Sequence, residues 1–383
     1  MDLSSMLARE DFFPLFFATL KDYYKEVYDQ EIEMDFADRK NCNLVIKPKL
    51  SAATSPYLSE KARKFFYAEW NVRNSLIKYV VAKWMVFCLT RTGKLLSSYR
   101  FRMTPDVLAT KDLVIAPNNR SIRVFDYSNG TVGCMIKKGF TDKYFSNQIA
   151  FRKTYSYDFM VPMLRYGDTW FVEPILEGHP LARVTDEKAY EKGMKDALDG
   201  IKLLADDTRE QIDADTYISN LYVKIASLIK RAESDKQIKT AKQAIQIADE
   251  CVTVTKNKFK ILHLCMSHGD FQGGNIWVDD MGKTLLYDWE TAGKRSIWYD
   301  SAVLAYSLRR HYGWGEFSKI NMPKMLLNCD TEKNRTENEY RAIKSILLME
   351  DLIFYLEDML ELPEDWGREI FDGAVERVSQ IKI

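Results

Sequence analysis

The 383-residue sequence is poor in the residues that punctuate or cross-link a chain, with 17 Gly, 10 Pro, 6 Cys and 4 His. So little Gly and Pro leaves scant room for long flexible or polyproline linkers. The cysteines, at 42, 88, 134, 251, 265 and 329, form no C-x-x-C pair, which excludes the usual thiol-rich zinc patterns. Cys265 stands three residues before His268, but no second pair completes a metal site. Four of the six lie in apolar runs, where a thiol packs as a small hydrophobe, and this suits a reducing compartment. Net charge is absent as well: 55 Lys and Arg balance 55 Asp and Glu. No global field draws nucleic acid or anionic lipid, and no nucleic-acid partner is expected. The most apolar stretches, 12–20 and 76–89, fall short of the roughly 18 residues that a spanning helix needs. The first ten residues carry early acidic side chains and no apolar signal core. The expectation is a soluble cytoplasmic protein with no transmembrane segment.

What is present is a globular composition, 46% hydrophobic and 29% charged, long enough for roughly two or three domains. Residues 1–110 read as a mostly helical N-terminal extension of unknown role. Phe12, Phe13, Leu15, Phe16, Leu20, Tyr23 and Tyr24 recur at helical steps, giving one apolar face. A short strand-like piece, 43–48, follows. A second helical pattern over about 59–90 is dense in aromatics, including Phe65, Phe66, Trp70, Trp84 and Phe87, and is read as core packing.

The texture changes near Lys111. Runs 111–117, 121–127 and 131–138 alternate or end at turn signals, Asn118-Asn119-Arg120 and Ser128-Asn129-Gly130, and read as a three-stranded antiparallel meander. A helix is expected over 142–155, then strands at 159–164 and 169–176. Past 177 the pattern is helical over about 186–205, 214–232 and 235–255, and again from 300 onward. One compact non-helical block, 268–295, interrupts it. Strands and helices are segregated, so the fold class is α+β.

That block carries the chemistry. It contains His268-Gly269-Asp270, then Asn275, and Asp288 thirteen residues beyond. Apolar triplets at 276–278 and 285–287 flank the turn 279–282 and predict a hairpin that returns Asp288 to Asn275. Asp270, Asn275 and Asp288 then converge at one end of it. Oxygen ligands from Asn and Asp suit Mg²⁺ shared with substrate phosphates. A further Asp off the metal can orient an attacking hydroxyl, and phosphoryl transfer asks for little else beyond geometry and electrostatics. Gly273-Gly274 is expected to let the backbone turn tightly between base and ligand.

The segments HGDFQGGN (268–275) and LLYDWE (285–290) resemble the catalytic loop and metal-binding motif of the aminoglycoside phosphotransferase and choline kinase family. The resemblance implies a bilobal protein-kinase-like fold, with a nucleotide-binding small lobe over 111–176. The large lobe, over 177–383, would be catalytic and bind the acceptor. It makes Asp270 the catalytic base, with His268 bracing its loop, and Asn275 and Asp288 the Mg²⁺ ligands. Glu290 would lie near the metal or acceptor, and Asp300, in WYDSA, would buttress the loop. The strand lysine that meets the nucleotide phosphates is Lys137 or Lys138. Lys137 is preferred because it follows Met135-Ile136, and only one of two neighbours on a strand can face the cleft.

Two positions depart from the family pattern. The nucleotide-covering loop 116–121 holds Asn118, Asn119 and Ser121 but no glycine, and the helix position expected to offer Glu to the lysine is Gln148. The segment FVEPILEGHPL (171–181) resembles the family's hinge. Glu173 and Ile175 would meet the adenine there, since Pro174 has no N–H to give.

The implied activity is Mg²⁺-dependent transfer of the γ-phosphate of ATP or GTP to the hydroxyl of a small molecule. A sugar or glycan acceptor is preferred on the aromatics Trp298, Tyr299, Tyr306, Trp314 and Trp366. Acidic residues 337, 339, 350, 351, 357 and 358 leave open an aminoglycoside or choline-type acceptor. The alternative is a nucleotide-binding pseudokinase or scaffold. A protein kinase is disfavoured, because no A-P-E-like segment follows Asp288.

Overall fold

The computed structural model describes residues 11–47, 51–69, 80–81, 83–84, 86–87, 99–108, 110–118, 120–305 and 335–361. The chain divides into two compact units, 1–179 and 180–383. The first is built on an antiparallel sheet and the second is helix-rich, giving an α+β fold.

Among the described residues, the sheet of the first unit has nine strands: β1 (Glu33–Phe36), β2 (Leu44–Lys47), β3 (Ala52–Thr54), β4 (Tyr99–Thr104), β5 (Leu113–Pro117), β6 (Ser121–Asp126), β7 (Thr131–Ile136), β8 (Arg165–Tyr166) and β9 (Trp170–Pro174). Their order across the sheet is β1-β4-β2-β3-β5-β6-β7-β9-β8. The expected meander is β5–β6–β7, with Val114 opposite Phe125 and Arg123 opposite Cys134. Residues 1–110 do more than add helices. Their described part contributes four strands, joined to the meander where Ala53 pairs with Ile115. Helix α1 (Phe12–Tyr28) buries Phe12, Phe16, Leu20, Tyr23 and Tyr24 on one face. These pack with Leu44, Phe101, Ile115 and Met135 of the sheet.

Helix α2 (Glu60–Glu69) opens where Ser59 Oγ accepts the Ala62 N–H at 3.1 Å, an N-cap. Phe66 is buried, whereas Trp84 and Phe87 further along are exposed, so the core reading of this aromatic run holds for only part of it. Trp70, Cys88 and residues 71–79 lie outside the described residues.

The strand expected at 159–164 is not formed there; the partner of β9 is the shorter β8. The Val161 carbonyl instead accepts the Arg152 guanidinium at 2.6 Å, and Met160 N–H bonds Tyr157 O. Pairing is confined to Met160, in an isolated bridge, and Leu164, whose N–H donates to Val172 O of β9 at 2.7 Å. Helix α3 (Lys143–Thr154) packs Phe145 and Ile149 onto Val132, Cys134 and Phe171 of the sheet.

The second unit contains α4 (Glu187–Thr208), α5 (Ala214–Ile229), α6 (Asp235–Thr255), α7 (Tyr299–Ala305) and α8 (Glu337–Glu361). The starts of α4, α5 and α6 are set by side chains: Asp186 on Ala189 N–H, Asp213 on Thr216 N–H, and the reciprocal Ser234–Gln237 box. Such caps satisfy donors that the first helical turn leaves unpaired. Helices α5, α6 and α8 share a core that includes Ile225, Leu228, Ala248, Cys251, Ile346 and Leu352.

Three strands absent from the sequence reading lie among them. Strand β11 (Ile261–Ser267) runs between β10 (Glu210–Asp213) and β14 (Gly293–Ser296) and leads directly into His268. The expected hairpin is β12 (Ile276–Val278) and β13 (Thr284–Leu286), with Trp277 opposite Leu285. Cys42, Cys134, Cys251 and Cys265 are buried thiols, while Cys329 lies outside the described residues. No described helix is long and apolar enough to cross a membrane.

Candidate active site

The catalytic-loop candidate is held by backbone and side-chain hydrogen bonds from several directions. Strand β11 ends at Ser267, and the buried Asp300 at the start of α7 receives the next two amides. His268 N–H donates to Asp300 Oδ2 at 2.6 Å and Gly269 N–H to Oδ1 at 2.9 Å. Burial pushes the Asp300 pKa up, and these two donors and the Arg295 charge oppose that rise.

Gly269 has φ +84°, and a Cβ there would fall 2.3 Å from Thr291 O. Only glycine fits. Positive φ is therefore required at Gly269 rather than at Gly273 or Gly274, which do not adopt it. The loop turns at its start, where Asp300 draws in two consecutive amides.

His268 is fully buried. Its Nδ1 accepts the Asp270 N–H at 3.3 Å, and its Nε2 lies 2.9 Å from Tyr287 O. That pairing calls for the neutral tautomer with the proton on Nε2. The ring lies 4.4 Å from that of the fully buried Trp289. With both nitrogens used and no exposure, His268 braces the loop.

Asp270 is half-buried, and its carboxylate is oriented by two neutral amides. Gln272 Nε2 donates to Oδ2 at 2.9 Å and to Oδ1 at 3.2 Å. Asn275 Nδ2 donates to Oδ2 at 2.7 Å and to the Asp270 carbonyl at 2.9 Å. Sequence reasoning did not single out Gln272; its only signal was its place two residues after Asp270.

Asn275 is buried. The Tyr287 N–H donates to its carbonyl at 3.2 Å, extending the hairpin by one pair and setting Asp288 next to it in the chain. Asp288 is half-buried and has φ +67°, a conformation uncommon outside glycine and characteristic of functional sites. The donor set fits a magnesium ion. Asn275 spends its amide nitrogen on Asp270 and keeps Oδ1, a hard carbonyl oxygen. Asp288 supplies a carboxylate, and Mg²⁺ is usually held by one or two such groups with water and phosphate completing the shell. Glu290 follows in the turn after Trp289 and is half-buried.

On the first unit, Lys137 and Lys138 separate as alternation requires. The Lys138 side chain is about half exposed and pairs with Asp22 of α1, which raises its pKa. Lys137 is 1% exposed, with its ammonium 4.8 Å from the Phe140 ring centroid. Its N–H donates to Arg120 O at 2.8 Å, and Arg120 packs over Tyr144 of α3. Gln148 is buried on the same helix.

The loop between β5 and β6 closes with Asn118 N–H on Ser121 O at 2.7 Å, and neither Asn118 nor Ser121 has positive φ. Asn119 lies outside the described residues.

The hinge expectation changes in one respect. The Ile175 N–H donates to Gly130 O at 2.9 Å, because β9 continues its pairing with β7 one residue past Pro174. This amide is not available to adenine. The Glu173 carboxylate is likewise engaged, 3.0 Å from Arg152 Nη2.

The aromatics expected as acceptor surface are elsewhere. Trp298 and Tyr299 are buried in the helical core, and Tyr299 Oη donates to Asp351 at 3.0 Å. Tyr306, Trp314 and Trp366 lie outside the described residues. Glu350 and Asp351 are also core residues, with Glu350 receiving Tyr217 Oη and both Ser296 donors. Glu357 pairs with Lys224 at 3.0 Å. Neither an aromatic platform nor a continuous acidic face is formed by these described residues.

No protein-family model matches the sequence, and no curated protein matches it. Among solved structures, the chain is similar to a choline kinase from Streptococcus pneumoniae, at 11% identity over 71% of this chain and 91% of the other, with a TM-score of 0.45. It is similar to an ethanolamine kinase from Plasmodium vivax at 13% identity, with 84% and 93% covered and a TM-score of 0.44. A thermostable mutant of an aminoglycoside phosphotransferase, in its apo form, aligns at 15% identity, with 71% and 96% covered and a TM-score of 0.49.

Proposed function

We propose that the protein is a phosphotransferase that moves the γ-phosphoryl group of ATP or GTP to a hydroxyl of a small molecule. One observation carries the reading: the Asp270 carboxylate is fixed by Gln272 and Asn275, and Asn275 is joined through the hairpin to an Asp288 held at positive φ.

Asp270 is assigned the acceptor hydroxyl, whose proton it orients and takes as the oxygen attacks phosphorus. His268 and Asp300 keep that carboxylate in place and touch no substrate. Asn275 Oδ1 and the Asp288 carboxylate would hold Mg²⁺, which supplies charge neutralisation at the β- and γ-phosphates. Lys137 is assigned to the nucleotide phosphates, and Asn118 and Ser121 to the loop over them. Adenine contacts are assigned to the backbone beyond Ile175, whose own N–H is engaged. The acceptor is left at the level of a small-molecule alcohol, since the aromatics that favoured a sugar or glycan lie in the core or outside the described residues.

The test is Mg²⁺-dependent turnover of ATP and GTP with pooled sugars, amino alcohols and aminoglycosides, wild type beside Asp270→Asn. Acceptor-dependent turnover that falls by about 10²–10⁴-fold in the variant is expected for loss of a general base. Wild-type rates retained by Asp270→Asn would refute the assignment. Nucleotide binding without turnover against any acceptor would favour the pseudokinase alternative.

A further inference from the structure

Arg295 is a half-buried cation on β14, where it pairs with Cys265 of β11, two residues before Ser267. Its Nη1 donates to Ser267 Oγ at 2.7 Å, and Ser267 Oγ donates in turn to Gly293 O at 2.9 Å. The same Nη1 lies 2.9 Å from the point where a Cβ on Gly269 would stand. The guanidinium is therefore packed against the turn at 269, one residue before Asp270. Its Cζ also sits 4.8 Å from the ring centroid of Tyr299, the residue that precedes Asp300.

Two buried carboxylates feel this cation. Asp300 receives the amides of His268 and Gly269, and Glu350 of α8 receives Tyr217 Oη and both Ser296 donors. Burial raises both pKa values, and the Arg295 charge acts against the rise at each. An ionised carboxylate accepts on both oxygens, whereas protonation makes one of them a donor. The turn that leads to Asp270 is thus held by two charge-assisted bonds while Asp300 is ionised, and one of them is lost on protonation. A nearby opposite charge favours the ionised form where desolvation opposes it. The other titratable groups around Asp300 and Arg295 are His268 on the loop, neutral by its hydrogen bonds, Tyr217 on α5, Tyr299 on α7, and Glu350 and Asp351 on α8. Among these described groups, Arg295 is the one that brings a positive charge.

We propose that Arg295 is a positioning residue for phosphoryl transfer: its guanidinium, set against Ser267 and Gly269, compensates the buried Asp300 and so holds the 268–270 turn in the register that aims Asp270. This rests on the phosphotransferase reading above.

The test is the pH dependence of kcat in Arg295 variants. Arg295→Gln can still donate to Ser267 Oγ but carries no charge. Its acid limb is expected to move up by about one pH unit, the order of effect of losing a nearby opposite charge. At a fixed pH on that limb, this is a loss of about tenfold. Arg295→Lys keeps the charge and should leave the limb at the wild-type pH. In the Asp300→Asn background, Arg295→Gln should move the limb no further, because the group through which the charge acts is gone. A role in packing alone would lower kcat at every pH and leave the limb in place.

An unmoved limb in folded Arg295→Gln, an equal shift in Arg295→Lys, or an equal shift in the Asp300→Asn background would overturn the proposal. If Arg295→Gln does not fold, it is combined with Glu350→Gln, which removes one of the two buried carboxylates left uncompensated. The upward shift is expected there too, and its absence would be equally decisive. Acceptor-dependent wild-type turnover that is abolished by Asp270→Asn serves as the control. With it intact, failure of the Arg295 variants to behave as described falls on this inference alone. Absence of any wild-type turnover overturns the phosphotransferase reading and this inference with it.

Discussion

Asp300→Asn isolates the support beneath the candidate loop at 268–275. The wild-type carboxylate uses one oxygen for His268 N–H, at 2.6 Å, and the other for Gly269 N–H, at 2.9 Å. Asparagine keeps one acceptor and turns an NH₂ toward the second amide. One hydrogen bond to a charged acceptor is lost, worth about 1.5–3 kcal/mol, and a buried N–H is left unpaired at about 1–3 kcal/mol. Against this, a buried charge whose pKa is driven up by desolvation is removed, which offsets part of the loss. The net expectation is a destabilisation of about 2–4 kcal/mol, against a total stability of about 5–15 kcal/mol. The variant should fold, with its thermal midpoint lowered on the order of 10 °C. Urea denaturation followed by circular dichroism reads the stability, and turnover at a permissive temperature reads the site. Activity should fall by more than the unfolded fraction accounts for, because Asp270 is placed through residues 268 and 269. A stability change below about 0.5 kcal/mol, the range of neutral surface substitutions, would refute the claim that this carboxylate holds the loop.

Other outcomes follow from the same geometry. Glu350 is fully buried, and desolvation raises its pKa above the ordinary 4.5. The folded state therefore binds the proton more tightly than the unfolded chain, and this group's contribution to stability falls as pH rises from about 4.5 through the raised value. Glu350→Gln can still accept from Tyr217 Oη and Ser296 N–H while donating to Ser296 Oγ. It should remove this pH dependence and leave stability at pH 8 equal or higher; an unchanged slope in urea titrations across pH 4–8 would count against the reading. Gly133→Ala would place a methyl 2.0 Å from the hydroxyl oxygen of the buried Tyr23. Overpacking of this kind costs about 1–3 kcal/mol, measurable as a fall in thermal midpoint, and pairing it with Tyr23→Leu should recover part of the loss.

Features that depend on near neighbours in the chain were legible in the sequence. The candidate loop and its hairpin span 268–290, and their turn residues and apolar triplets lie within a few positions of one another. The helical face of α1, the capped helices α4 to α6 and the meander β5–β7 were readable for the same reason. Turn chemistry and periodicity are local properties. Strands β1 to β4 were not, apart from the piece at 43–48. A short strand is specified by its partner, and these pair across long separations, Phe36 with Phe101 and Ala53 with Ile115. Strand β11 was hidden because its mostly apolar run, broken by His263, shows no clear alternation, and periodicity alone cannot assign such a run.

The sequence by itself determined which chemical groups stand at the candidate site and in what order. Tertiary structure decided how each is used. Burial separated Lys137 from Lys138, and the buried Asp300 moved the required glycine turn to position 269. Packing drew Trp298 and Tyr299 into the core, and the Arg152 guanidinium met Val161 O and Glu173, nine and 21 residues away in sequence. Each of these rests on contacts between distant segments, where burial and hydrogen-bond satisfaction outweigh local preference.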